Sequence, residues 1–265
     1  MVSFTVTWLE PIFRWLHIIA GIMWIGHLWF FNFVNAQVAK SYDADSKKKV
    51  IPELMPRALY WFRWGAAYTW IFGILLLGTV YYMQANAMLL DDNHKDLGAG
   101  AATGIGLGLL VVGFLVYDIL WKQLAKKEAL GAGISFALTV GIAFGLSMIF
   151  SERGMLIHIG ALFGTIMAGN VWMRIWPNQR RIIAAIKEGK APDAAWAGMA
   201  GLRSKHNTYM SVPLMFFMIS QHGVVELGMG SLNYPWLGAA LVIAAGWGLT
   251  KFFFVKSASD APKFF

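Results

Sequence analysis

Apolar residues fall along this chain in long blocks parted by short polar knots, and period-two alternation is nearly absent. A hydrocarbon core about 30 Å thick takes roughly 20 apolar residues per helix. Seven segments meet that length: about 11–37, 58–84, 97–123, 129–150, 154–176, 206–226 and 232–255. The sixth is the least hydrophobic and is interrupted by Pro213. The pattern predicts an all-α integral membrane protein, a single domain over residues 1–265 built as a bundle of about seven transmembrane helices. Residues 177–205 are expected as the one long connection, a basic cytoplasmic loop in which Ile182–Lys187 could extend as a short amphipathic helix. Gly100, Gly104 and Gly108, and Gly160, Gly164 and Ala168, recur every four residues, the small-residue spacing that lets membrane helices approach closely.

Composition agrees. Of 265 residues, 58% are hydrophobic and 14% charged, against about 25% charged in a soluble domain. That excludes a soluble globular domain, a disordered chain and a secreted disulfide scaffold. The chain has no cysteine, which excludes thiolate metal sites and the attachment of c-type haem within it. A net charge of +8 would suggest nucleic acid in a soluble protein. Here it reflects lysines and arginines gathered in alternate connections: Lys47, Lys48, Lys49, Lys126, Lys127, Arg180, Arg181 and Lys205 on one side, against little beyond Arg14, Lys95 and Arg153 on the other. The positive-inside rule then puts the N-terminus outside and the C-terminus in the cytoplasm. The expected setting is a bacterial inner membrane, with no nucleic-acid partner. No cleavable signal pattern precedes the first block.

Ionisable groups inside a bilayer are costly and point to function. Five of the six histidines lie within or at the ends of spans: His17, His27, His158, His206 and His222. At about 1.5 Å per residue, His17, His158 and His222 share an outer level, and His27 sits roughly 15 Å deeper, near the level of His206. Two layers of imidazole suit two b-type haems: His17 with His158 or His222 outside, and His27 with His206 inside. Arg14 and Arg153 would hold outer propionates, and Arg57, Arg63, Arg174 and Arg203 are available on the inner side. Copper is the competing cofactor, since Met155, Met167, Met210, Met215 and Met218 share helices with three of the histidines. A proton relay is a third use.

Three stretches resemble one family. FRWLHIIAGIMWIGHLWFFNFVN (13–35), HIGALFGTIMAGNVWMRIWPNQRRIIAAI (158–186) and SKHNTYMSVPLMFFMISQH (204–222) are similar to the membrane domain of bacterial urate hydroxylases of the PuuD type. The first also resembles haem-binding membrane protoporphyrinogen oxidases and copper-resistance membrane proteins. The resemblance implies an inner-membrane oxidoreductase. Family members often continue into a cytochrome c domain that these 265 residues lack, so electrons from urate or quinol are expected to pass to a separate cytochrome c or a quinone. A urate anion would sit at the outer end, near Arg14 or Arg153, with Asn170, Asn207 and Gln221 as partners for its ring. A haem-bearing subunit of a larger respiratory or oxygenase complex, and a copper or proton transporter, are the alternative readings.

Overall fold

A computed structural model describes residues 4–220 and 234–259. His222 and Gln221, and the outer end expected for the sixth span, lie outside the described residues. The described chain is helical, with α1 (Phe4–Trp29), α2 (Ala36–Val38), α3 (Ala44–Leu76), α4 (Gly98–Gln123), α5 (Glu128–Ser147), α6 (Glu152–Asn170), α7 (Trp176–Lys187), α8 (Ala194–Ile219) and α9 (Pro235–Ala258). Among the described residues there is no strand, only an isolated bridge between Leu90 and Phe150 that ties the loop after α3 to the start of α6. Six continuous helical stretches are long and apolar enough to cross a membrane: Trp8–Val38, Ala44–Tyr82, Asp92–Gln123, Glu128–Ser147, Glu152–Lys187 and Pro235–Ala258. The segment expected as the sixth span falls on α8, whose polar and charged residues keep it out of that set.

Three of the long helices continue through wide π turns. Phe30–Asn35 joins α1 to α2, Leu77–Tyr82 extends α3, and Val171–Ile175 joins α6 to α7. Such turns add a residue per turn, re-aim the side chains that follow, and occur disproportionately at functional sites. The expected loop over 177–205 is mostly helix: α7 runs on from α6 to Lys187, and α8 begins at Ala194. Pro177 follows the turn at Val171–Ile175 and donates no backbone hydrogen bond to it. Gly189, at φ +71°, ends α7, and the Asp193 carboxylate caps α8 through the Ala195 N–H.

Helix α6 is the hub. Met155, Leu156, Ile159, Leu162, Phe163 and Met167 are all buried, and α4, α5 and α8 pack around it. Helices α1 and α3 form a close antiparallel pair on its flank. Gly65 permits this: a Cβ there would lie 3.1 Å from the Trp24 backbone N. The expected glycine row on α4 does not pack. A Cβ at Gly100, Gly104 or Gly108 would meet nothing within 4 Å, whereas Gly106 and Gly113, on the opposite register, face His158 and Leu162. Gly160 packs on Phe217 of α8, but Gly164 stands clear. Spacing alone marks small residues and not the side of the helix that a neighbour covers.

Candidate functional site

In each of the four described membrane histidines Nδ1 faces one oxygen, and where that oxygen is a carbonyl it decides the tautomer. His17 Nδ1 faces the Thr69 carbonyl at 2.8 Å, His27 Nδ1 the Met23 carbonyl at 2.7 Å, and His158 Nδ1 the Gly154 carbonyl at 2.7 Å. A carbonyl only accepts, so in all three Nδ1 carries the proton and Nε2 holds the lone pair. That is the form in which an imidazole can ligate a metal. In His158 the lone pair is already used: it accepts the Tyr82 hydroxyl proton across 3.1 Å. Fully buried, the ring lies against Phe150, with centroids 5.0 Å apart, and against the α4 backbone, where a Cβ on Gly106 would stand 2.5 Å from Nε2.

His206 Nδ1 faces a hydroxyl, which can donate or accept. Asn170, at the last turn of α6, spreads its amide to the Tyr117 hydroxyl and to Asn207 Oδ1, both at 2.9 Å. Tyr117 Oη thus accepts from Asn170 and shares a hydrogen bond with His206 Nδ1, 2.8 Å away. The His206 ring lies 4.0 Å from the Trp121 centroid. Asn207 closes the chain by donating to the Met167 carbonyl at 2.9 Å. Asn170 and Asn207 therefore bind helix to helix, as satisfied packing amides do, yet Asn170 Oδ1 is buried without a partner.

Beside this chain lies an ionic cluster. The Asp118 carboxylate, 8% exposed, takes both Nε and Nη2 of Arg174, Nζ of Lys122 at 2.9 Å and Nη2 of Arg203 at 3.0 Å. Arg203 is 0% exposed and lies over the Tyr117 ring, 5.0 Å from its centroid. Its Nε and Nη1 have no hydrogen-bond partner. Burying a guanidinium costs several kcal/mol unless it is paired, and here one carboxylate serves three cations. In the sequence Arg174 and Arg203 read only as available cations, and nothing draws Asp118 to them. The Asp118–Lys122 spacing of four residues is the one local signal that marks the carboxylate as paired.

His17 packs against α3, where a Cβ on Gly73 would approach its ring to 3.1 Å, and His158 packs against α4. His27 bonds within its own helix. No group of three histidine or carboxylate side chains among the described residues converges as a metal site. Met155, Met167 and Met210 are core residues. Haem is the cofactor the family resemblance implies, and a bis-imidazole site needs two Nε2 lone pairs facing one slot. His17 and His27 have the right tautomer. His158, its Nε2 closed by Tyr82 and Gly106, does not fit. Arg14 is held by Glu10 one turn earlier, Arg57 pairs with Glu53, and Arg63 stacks on Trp176 at 4.0 Å.

The sequence profile of the urate oxidase N-terminal family matches residues 3–49 and 41–264. The chain belongs to the urate oxidase N-terminal family. No curated protein and no solved structure matches it significantly. Family membership thus identifies the class of membrane domain, and the polar chain through α4, α6 and α8 is the part of that domain where buried chemistry is concentrated.

Proposed function

We propose that this protein is the membrane domain of a urate-oxidising enzyme, taking electrons from urate and passing them to a separate cytochrome c or a quinone. The family match over nearly the whole chain carries the reading. Urate oxidation to a hydroxylated product removes two electrons. Water supplies the new hydroxyl, two protons are released, and the acceptor takes the electrons. No step in this reading passes through a haem at His158, whose Nε2 is taken by Tyr82.

The distribution of charge supports an orientation with the N-terminus outside. Lys47, Lys48 and Lys49 open α3, Lys126 and Lys127 join α4 to α5, and Arg180, Arg181 and Lys187 lie along α7. We read α8 as a seventh span whose polar residues face other helices: Arg203, Asn207, Thr208 and Ser211 are all fully buried. Asp118 of α4 pairs with Arg203, Asn170 and Met167 of α6 bond Asn207, and Thr208 and Ser211 donate to carbonyls of α8 itself, so that α8 crosses the bilayer with these polar groups turned into the bundle. In a bacterial inner membrane this orientation puts the Asp118 cluster at the cytoplasmic end.

The test is turnover by the purified full chain in lipid nanodiscs. Ultraviolet absorption of urate should fall under argon when ferricytochrome c or a short-chain quinone is supplied, with the acceptor reduced in step. Urate left intact with both acceptors, and also under air, would overturn the reading in favour of a non-catalytic subunit.

A further inference from the structure

The inner cluster has more positive charge than its own carboxylate can neutralise. Lys122, Arg174 and Arg203 converge on Asp118, leaving two positive charges uncompensated among the described residues. They are graded in depth. The Lys122 side chain is 51% exposed and that of Arg174 27%, while Arg203 is fully buried. The cluster therefore opens at its lysine rim and closes at Arg203. Two guanidinium nitrogens of Arg203 are buried and unpartnered, and so is Oδ1 of Asn170, whose Nδ2 bonds the hydroxyl of the same Tyr117 whose ring Arg203 covers. A guanidinium whose donors are unmet in a low-dielectric site calls for an anion.

We propose that the Asp118–Arg174–Arg203 cluster is an anion-binding site at the inner end of the bundle, taking a planar oxyanion of the urate class. Lys122 and Arg174 form its rim and Arg203 its floor. Asn170 Oδ1 is an acceptor for a ring N–H of the ligand. Asp118 is the resident competitor: its carboxylate occupies donors that an incoming anion would use. The assignment to urate rests on the function proposed above, whereas the anion site itself follows from charge and unmet donors. It moves the substrate from the outer arginines, where Arg14 is held by Glu10, to the inner ones.

Competition gives the site opposite responses to two substitutions. Asp118→Asn removes the competing charge, so anion affinity rises. Arg203→Lys keeps the charge but loses the planar fork, so affinity falls by about 10-fold or more, the scale of one charge-assisted hydrogen bond. Lys122→Ala, at the exposed rim, does not disturb the buried atoms and lowers affinity several-fold, with a shallower salt dependence. The experiment measures equilibrium dialysis of radiolabelled urate against nanodisc-embedded full chain. In parallel, nitrate, a planar oxyanion that is not the proposed substrate, is titrated into thermal unfolding of wild type and Asp118→Asn. Tighter urate binding in Asp118→Asn, weaker binding in Arg203→Lys and Lys122→Ala, and nitrate stabilising Asp118→Asn more than wild type are expected. Urate binding that is the same in all three variants, without a nitrate effect, overturns the site while leaving urate oxidation intact. A nitrate effect with neither urate binding nor urate turnover keeps the anion site and removes urate as its ligand.

Discussion

The two ends of this bundle, outer and inner in the proposed orientation, hold buried polar groups in opposite states. At the outer end, His158 has both ring nitrogens bonded, to Gly154 and Tyr82, and its walls are complete. At the inner end, Arg203 bonds through one nitrogen and leaves two unmet, beside an amide oxygen that is also unmet. A satisfied group can be explained by packing alone. An unsatisfied one at zero exposure is costly, by about 1–3 kcal/mol for each neutral group, and such costs concentrate where a protein binds or reacts. The imidazoles attract attention in the sequence because histidine is rare in membranes, yet the guanidinium is the group left wanting a ligand.

The largest effect should come from cutting the inner cluster. Asp118→Ala strips the carboxylate from two guanidinium groups and leaves Arg203 buried without its counter-charge. Removing one partner of a buried pair costs about 3–5 kcal/mol, read as a loss of thermal stability in detergent. At the outer end His158→Ala is expected to leave the content of any b-type haem unchanged, judged by the reduced-minus-oxidised spectrum, because Tyr82 already occupies its Nε2. A b-type band that vanishes in His158→Ala alone would mean that the Tyr82 contact gives way to iron, and the contrast between the two ends would fail.

Packing supplies the next test. Gly106→Leu on α4 drives a side chain into His158 Nε2 and the Tyr82 hydroxyl, which a Cβ alone would meet at 2.5 and 2.7 Å. Overpacking of this kind costs about 1–3 kcal/mol. Gly104→Leu, two residues away on the open side, should be near neutral. Equal losses at both positions would mean that the open side is covered in the membrane, for example by a second copy of the chain.

That pair also marks how far the sequence can be read. The helical class, the membrane setting and most helix positions follow from runs of apolar residues, whose length is set by the bilayer. Facing is harder to read: two glycine rows interleave on α4, and only tertiary contact distinguishes Gly106 from Gly104. The long connection reads as loop because α7 is amphipathic and rich in polar residues, while α6 in fact continues into it through the turn at Val171–Ile175. At the site, the histidines are legible as residues within helices, but their pairing is not, because depth along a helix leaves rotation about it open. Asp118 escapes a reading of the sequence for a related reason: its partners Arg174 and Arg203 lie 56 and 85 residues away.

A smaller loss separates the two tyrosines. Tyr82→Phe removes the donor to His158 Nε2 and leaves one buried acceptor unmet. Tyr117→Phe removes the hydroxyl that both accepts from Asn170 and bonds His206 Nδ1, so two groups lose their partner. The costs are about 1–2 kcal/mol for Tyr82→Phe and up to twice that for Tyr117→Phe. Thermal unfolding in nanodiscs orders them, and the reverse order would mean that the polar chain through α4, α6 and α8 is looser than its 2.8–2.9 Å contacts indicate.

The smallest effect belongs to Arg14. Its ion pair with Glu10 lies one turn apart on α1, and both side chains are about one-third exposed. Exposure screens the pair and the ordering of two long side chains offsets part of the attraction, so Arg14→Gln should change stability by less than about 1 kcal/mol. Arg203 and Arg14 carry the same group and the same charge, and each faces one carboxylate. What differs is depth and competition: Arg203 shares its carboxylate with two other cations, whereas Arg14 lies within reach of solvent. If Arg14→Gln proved as damaging as Asp118→Ala, burial and charge excess would not be what sets the inner cluster apart, and the anion site would lose its physical basis.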